Sequence, residues 1–323
     1  MGFLVGMDEA GYGPNLGPLV ISATVWSVPD DSLEVDLYRL LRKAVSAKPP
    51  TNPRQHRGRV VLADSKAIYN PALGLGLLER GLLAALATMD HRPNCWQQLW
   101  ELLCPDSAAE LTSAPWFLGY DDGLPLVAKL PDLQRAAARL LDCFQQASVR
   151  LLRVRCRAVF PEEWNRLLAE HGTKGAALSH LTIALLTSVL GGLPDGPVAV
   201  TCDKHGGRNR YGSLLQRYVE DWLVEVHRES GLASIYRFGP ESRRVEVCFR
   251  PRAECFLPTA LASMTSKYMR ELAMRPFNRF WCNRLPELRP TAGYPGDARR
   301  FKTAIDALQQ ELGIADRVLW RER

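Results

Sequence analysis

The chain has 323 residues, 46% hydrophobic and 24% charged, enough to bury a sizeable core in one large domain. Its net charge of +6 suits a polyanionic partner without identifying one. Eight scattered cysteines with no Cys-x-x-Cys pair argue against a zinc ribbon or a secreted disulfide framework, and the acidic, unsignalled amino terminus argues against export.

The longest apolar stretch, around Leu181 to Leu193, falls short of the ~20 residues that a membrane span needs, so a cytoplasmic protein with reduced thiols and no membrane association is expected. Phe3 to Met7 and Leu19 to Val28 read as a hairpin pair of strands around the glycine- and proline-bearing stretch Ala10 to Pro18. A helical pattern from about Ser32 to Ala47 leads into the proline-rich break Lys48 to Pro53 and a basic loop with Arg54, Arg57 and Arg59. Val60 to Leu62 is a short strand that delivers Ala63-Asp64-Ser65-Lys66. Residues 72–147 are mainly helical by period and carry no readable chemical motif; the tryptophans from Trp96 to Trp116 sit at helical spacing that favours core packing over base stacking. Leu151 to Val159 is a strand, and Pro161 to Trp164 opens helical sequence running through Val189 to Gly191-Gly192. Pro197 to Cys202 is a buried strand ending in Asp203, and Tyr211 to His227 reads as an amphipathic helix. Short strands near Ser234 to Phe238 and Arg244 to Phe249 and a helix from Phe256 to Met274 complete an α/β pattern around a mixed sheet.

Two acids that end a strand, Asp8 and Glu9, are costly side by side unless a cation neutralises them. The glycines that follow, Gly11 and Gly13, allow main chain to approach a phosphate or a sugar hydroxyl closely. After Asp203 the run Lys204-His205-Gly206-Gly207-Arg208-Asn209-Arg210 is basic and glycine-rich, which reads equally as a phosphate contact and as a solvated loop.

Asp8-Glu9-Ala10-Gly11-x-Gly13-Pro14, with Gly17-Pro18 beyond it, resembles the signature that opens type 2 ribonucleases H. In the same order, Leu62-Ala63-Asp64-Ser65-Lys66 resembles the family's Asp-Ser-Lys element, and Val198 to Asp203 the strand that ends in its third catalytic acid. Ala262 to Glu271 resembles the helix of small residues followed by Lys, Arg and an acid, and Thr291 to Asp297 the Gly-Tyr-Pro-x-Asp turn. The resemblance spans Phe3 to about Lys302. It implies a ribonuclease H-like α/β fold, a mixed central sheet flanked by helices, as a single domain over residues 1–323. A helical insertion at about 72–147 and a C-terminal helical part at about 256–323 would complete it.

The resemblance also implies a catalytic and metal-binding set of Asp8, Glu9, Asp203 and Glu271, with Glu254 or Glu246 as alternatives for the fourth acid. Nucleic-acid contacts are expected from Gly11, Tyr12, Gly13, Ser65, Lys66, Lys204, Arg208, Lys267, Arg270 and Tyr294, with Asp64 as a structural cap. Tyr12 replaces the family's usual Arg or Lys, and Glu271 its usual Asp. Two divalent ions, Mg²⁺ or Mn²⁺, about 4 Å apart would activate water and stabilise the leaving oxygen. The implied activity is an endonuclease for the RNA strand of RNA–DNA hybrids or for ribonucleotides embedded in DNA, leaving 3′-hydroxyl and 5′-phosphate ends. The competing readings are a non-catalytic hybrid-binding protein and, third, another nuclease on the same fold. No protein partner is inferable.

Overall fold

A computed structural model describes residues 1–29, 33–49, 58–70 and 72–322. The hairpin is present: β1 (Gly2–Ala10) and β2 (Leu19–Val28) pair antiparallel from Gly2 opposite Val28 to Ala10 opposite Val20. Every β2 residue is buried, which places this strand inside the sheet with both faces covered.

The expected helix at 32–47 is corrected to α1 (Leu37–Leu40), capped by the Asp36 side chain, and β3 (Val45–Ser46), which pairs in parallel with β4 (Val60–Val61). The β-branched Val45 prefers that ladder to a further helical turn. Ser32, Arg54 and Arg57 lie outside the described residues. Asp64 caps α2 (Ser65–Ile68), accepting from the Lys66 amide at 2.9 Å, the structural role expected of it.

The segment 72–147 is helical as read, forming α3 (Gly76–Ala87), α4 (Trp96–Leu103), α5 (Ala108–Ser113) and α6 (Leu130–Gln146). Its tryptophans are core: Trp96 stacks on Trp100 at 4.9 Å, and Trp116 meets Phe277 edge-on at 5.1 Å.

β5 (Arg150–Val159) adds to β2 antiparallel. The helical sequence after it divides into α7 (Pro161–His171) and α8 (Lys174–Gly191), because Gly172 takes a left-handed turn at φ 74°. By length and composition α8 is apolar enough to cross a membrane, yet Ala177, Leu178, Leu181, Leu185 and Val189 are buried with one face of the sheet.

β6 (Val198–Asp203) runs parallel to β1. The expected helix from Tyr211 to His227 shrinks to α9 (Gly212–Tyr218) and gives way to β7 (Glu225–Glu229). Gln216 explains the break: its side chain donates to the carbonyls of Val219 and Trp222 and accepts from the Val224 amide, satisfying a turn in place of a helix. β8 (Ser234–Phe238) and β9 (Val245–Arg250) follow as expected. α10 (Leu257–Cys282) extends eight residues past the expected end at Met274, and α11 (Pro295–Glu311) and α12 (Asp316–Leu319) complete the described chain.

The seven strands lie in the order β5-β2-β1-β6-β9-β8-β7, with β1, β6 and β9 mutually parallel and their other neighbours antiparallel. This is a mixed seven-stranded sheet flanked by helices, the α/β architecture expected. Alternation along β1 sends Phe3, Val5 and Met7 into the core shared with α8, and Leu4 into the core shared with α10. Gly6 faces α10 as well, where a Cβ would stand 2.1 Å from the backbone of Pro258 and Thr259. The sheet and α10 therefore touch main chain to main chain just before the first acid.

Candidate metal centre

The parallel register sets Met7 opposite Cys202, so the next residues, Asp8 and Asp203, end neighbouring strands side by side. Asp8 is on the α10 side of the sheet and is buried; its carbonyl accepts from Ser266 Oγ at 3.0 Å, and Ser263 lies between its carboxyl and Ser65 Oγ. Beyond β9 the chain enters a 3₁₀ turn, Ala253–Cys255, whose first amide donates to Asp203 Oδ1 at 3.4 Å. That turn brings Glu254 into the site. Ligand oxygens of Asp8, Asp203 and Glu254 lie within 4.8 Å of one another. An open cleft of about 520 Å³ leads to this cluster, lined by Tyr38, Asp64, Lys66 and Arg252 as well as Asp203 and Glu254.

The electrostatics are those of charges packed without enough counter-charge. Burial, then repulsion from Glu9, raises the Asp8 carboxyl well above its usual range. Burial and Asp203 push Glu9 up to about 7, and burial and Glu254 raise Asp203. Among the described residues, the cation that lowers Glu9 and Asp203 is Lys66, 3.4 Å from Glu254 Oε1 and largely exposed. One ammonium against four carboxylates leaves a deficit, and the donors are all hard oxygens. The residues therefore fit a hard divalent cation such as Mg²⁺ or Mn²⁺, with Asp8, Asp203 and Glu254 as ligands and Glu9 beside them.

Carboxyls raised on folding favour the protein below their unfolded pKa and weaken it as pH rises through the folded value. The metal-free protein is thus expected to lose melting temperature from about pH 4.5 to pH 7, the interval over which Glu9 is shifted. Mg²⁺ or Mn²⁺ should restore more stability at pH 8 than at pH 5. Differential scanning fluorimetry at the two pH values, with and without metal, checks this; a metal response equal at both would refute it.

The structure does not bring Glu271 to the cluster. Its carboxylate takes Lys267 Nζ at 2.6 Å and the Tyr69 hydroxyl at 2.7 Å, farther along α10 than Ser263 and Ser266. Glu246 is also elsewhere, paired with Arg237 at 2.7 Å. The alternative Glu254 is the acid that the fold delivers.

The expected nucleic-acid contacts divide similarly. Lys66 lines the cleft, whereas Tyr12 and Gly13 belong to the glycine loop with Tyr294 beside it; Tyr294 is 52% exposed, and its ring lies 3.9 Å from where a Gly13 Cβ would be. Tyr12 packs edge-on against Trp164. Gly11 needs its φ of +91°, and a Cβ there would meet the Pro18 carbonyl at 2.6 Å. Ser65 is buried against Ser263, Lys267 is held by Glu271 and the Tyr69 ring, and Lys204 donates to Asn209 Oδ1 at 2.6 Å and to Ser230 O. Arg208 sits over the Tyr211 ring. Arg270 is corrected from contact residue to internal clamp: it is 2% exposed and donates to the carbonyls of Pro18, Leu16 and Ala292. His205 is likewise internal, bonded through Nδ1 to Ser179 Oγ at 3.0 Å, and burial pushes it down to about 3.

An α/β sheet with a carboxylate cluster on two adjacent parallel strands beside a glycine loop defines an α/β protein with an acidic cluster able to hold a cation. No family model and no curated protein matches this sequence. Its structure is similar to that of ribonuclease H2 from Pyrococcus horikoshii OT3, at 17% identity and TM-score 0.44, covering 98% of this chain and 92% of the other. It is also similar to the RNase HII of Archaeoglobus fulgidus solved with PCNA (14%, TM-score 0.42, 99% and 94%). A third similar structure is RNase H3 of Aquifex aeolicus (16%, TM-score 0.43, 98% and 71%).

Proposed function

We propose that this chain is a metal-dependent endonuclease that hydrolyses the RNA strand of RNA–DNA hybrids, or ribonucleotides embedded in DNA, leaving 3′-hydroxyl and 5′-phosphate ends. The observation that carries the reading is the convergence of Asp8, Asp203 and Glu254, with Glu9 beside them, at the open end of the sheet. Divalent ions held there would supply Lewis-acid activation of water and stabilisation of the departing oxygen.

The chain's own residues do the rest. Lys66, exposed above Glu254, offers an ammonium to a phosphate at the cleft. Gly13, where a Cβ would meet nothing nearer than the Tyr294 ring at 3.9 Å, leaves space for the backbone of the substrate to approach, and Tyr294 presents an exposed ring to a sugar or base beside it. Ser263 and Ser266 hold Asp8 in place from α10. No nucleophilic side chain is required, because water attacks the phosphorus.

The reading is tested with two labelled duplexes, one all-hybrid and one with a single ribonucleotide in DNA, in Mg²⁺ or Mn²⁺. Wild type is expected to cut at least one, and Asp8→Asn and Asp203→Asn neither. A wild type that binds hybrid but cuts nothing in either metal would replace the enzyme with a binding protein.

A further inference from the structure

The glycine loop beside the acids is held by the far end of the chain. Arg321 is 1% exposed, and its Nη2 donates to the carbonyls of both Gly11 and Pro14. Its backbone amide donates to Asn15 O at 2.7 Å, and Asn15 Nδ2 returns a bond to Arg321 O at 2.8 Å. Leu16 and Trp320 form a β-bridge next to these bonds.

The tail is in turn fixed to α7: Asn165 donates to Trp320 O at 2.8 Å, Trp164 Nε1 donates to Glu322 O at 3.2 Å, and the Arg321 guanidinium lies 5.5 Å from the Trp164 ring centroid. Asn165 and Trp164 thus fix the direction from which Arg321 reaches the loop. Among the described residues no carboxylate pairs with Arg321, and its Nε and Nη1 have no partner. A buried guanidinium without an acid is costly. Folding has placed it where only loop carbonyls receive it.

We infer that Arg321 is a positioning residue for substrate: it fixes Gly11 and Pro14 in the conformation that receives the nucleic-acid backbone, so that the last turn of the chain controls substrate engagement at a site built from its first strand. Arg270 grips the other half of the loop through the carbonyls of Leu16 and Pro18. Arg321 is not a ligand of the acid cluster, whose members sit on β1, β6 and the turn before α10. The inference rests on the proposed hybrid substrate, but part of its test does not.

Arg321→Met removes two charge-assisted hydrogen bonds, each worth more than a neutral one. It is expected to raise KM for a hybrid duplex by at least about tenfold while kcat stays within about threefold. Amide hydrogen exchange across Gly11 to Leu16 should speed up by about tenfold as the loop opens locally. The Mg²⁺- or Mn²⁺-induced rise in melting temperature should remain. Arg321→Lys keeps one donor and the charge and should recover part of the KM and exchange; it carries the same comparison if the methionine variant does not fold. Wild-type exchange and KM in both variants would overturn the inference, as would a fall in kcat with KM unchanged. If wild type cuts no hybrid, the proposed function fails, while the exchange comparison still decides whether Arg321 holds the loop.

Discussion

Glu254→Gln is expected to reduce hybrid cleavage by roughly a thousandfold or more, as are Asp8→Asn and Asp203→Asn, because in the proposed reading each removes a charged ligand from a cation that stabilises the transition state. Glu271→Gln should stay within about tenfold of wild type, because its carboxylate is bonded to Lys267 and Tyr69 and not to the cluster. The distinction is visible without turnover as well. Glu254→Gln should abolish or sharply weaken the metal-induced rise in melting temperature, and Glu271→Gln should keep it. Steady-state kcat/KM on one duplex, with metal titrations followed by fluorimetry, decides both. The reverse pattern, an inert Glu254 and an indispensable Glu271, would return the fourth ligand to the assignment that the sequence pattern alone suggests.

The two acids differ in legibility for a geometric reason. Asp8 and Glu9 close the apolar run of β1 and Asp203 ends β6, and an apolar run that stops at an acid is a local pattern visible in one dimension. Glu254 precedes the helical run and Glu271 lies within it, and choosing between them requires the place where the helix meets the sheet. α10 starts at Leu257. At 1.5 Å of rise per residue, Glu271 lies roughly 12 Å along the axis beyond Ser263, which meets the Asp8 carboxyl, whereas Glu254 remains in the turn hydrogen-bonded to Asp203.

Charge in the sequence likewise carries no sign of burial. Lys66 and Arg270 look equally suited to a phosphate, yet one is exposed above Glu254 and the other lies beneath the glycine loop. The helices expected at 32–47 and 211–227 failed where tertiary bonding overrode periodicity, through the pairing of Val45 with Val60 and the turn stitched by Gln216. Arg321 was invisible because its partners stand more than 300 positions away.

Glu79→Ala should be among the most destabilising single changes in the chain. Glu79 is fully buried on α3, and its carboxylate accepts four hydrogen bonds: from the amides of Leu126, Val127 and Ala128 at 2.6–2.7 Å and from the Tyr268 hydroxyl at 2.7 Å. These tie the segment that leads into α6 to α3 and both to α10, so one side chain fastens the helical elaboration to the helix that positions Ser263 and Ser266 against Asp8. Alanine leaves a cavity and buried donors without their carboxylate acceptor, for a loss of about 3–5 kcal/mol. In a chain of this size that corresponds to a fall of roughly 4–8 °C in melting temperature. Glu79→Gln keeps the shape but turns an amide group toward backbone donors, so it should recover less than half of the loss. Because none of these bonds touches the acid cluster, kcat measured well below the melting transition should stay within about threefold of wild type. A melting temperature within about 1 °C of wild type for Glu79→Ala would show that the four bonds do not hold the elaboration in place, since even one orphaned buried donor should cost about 1 kcal/mol or more.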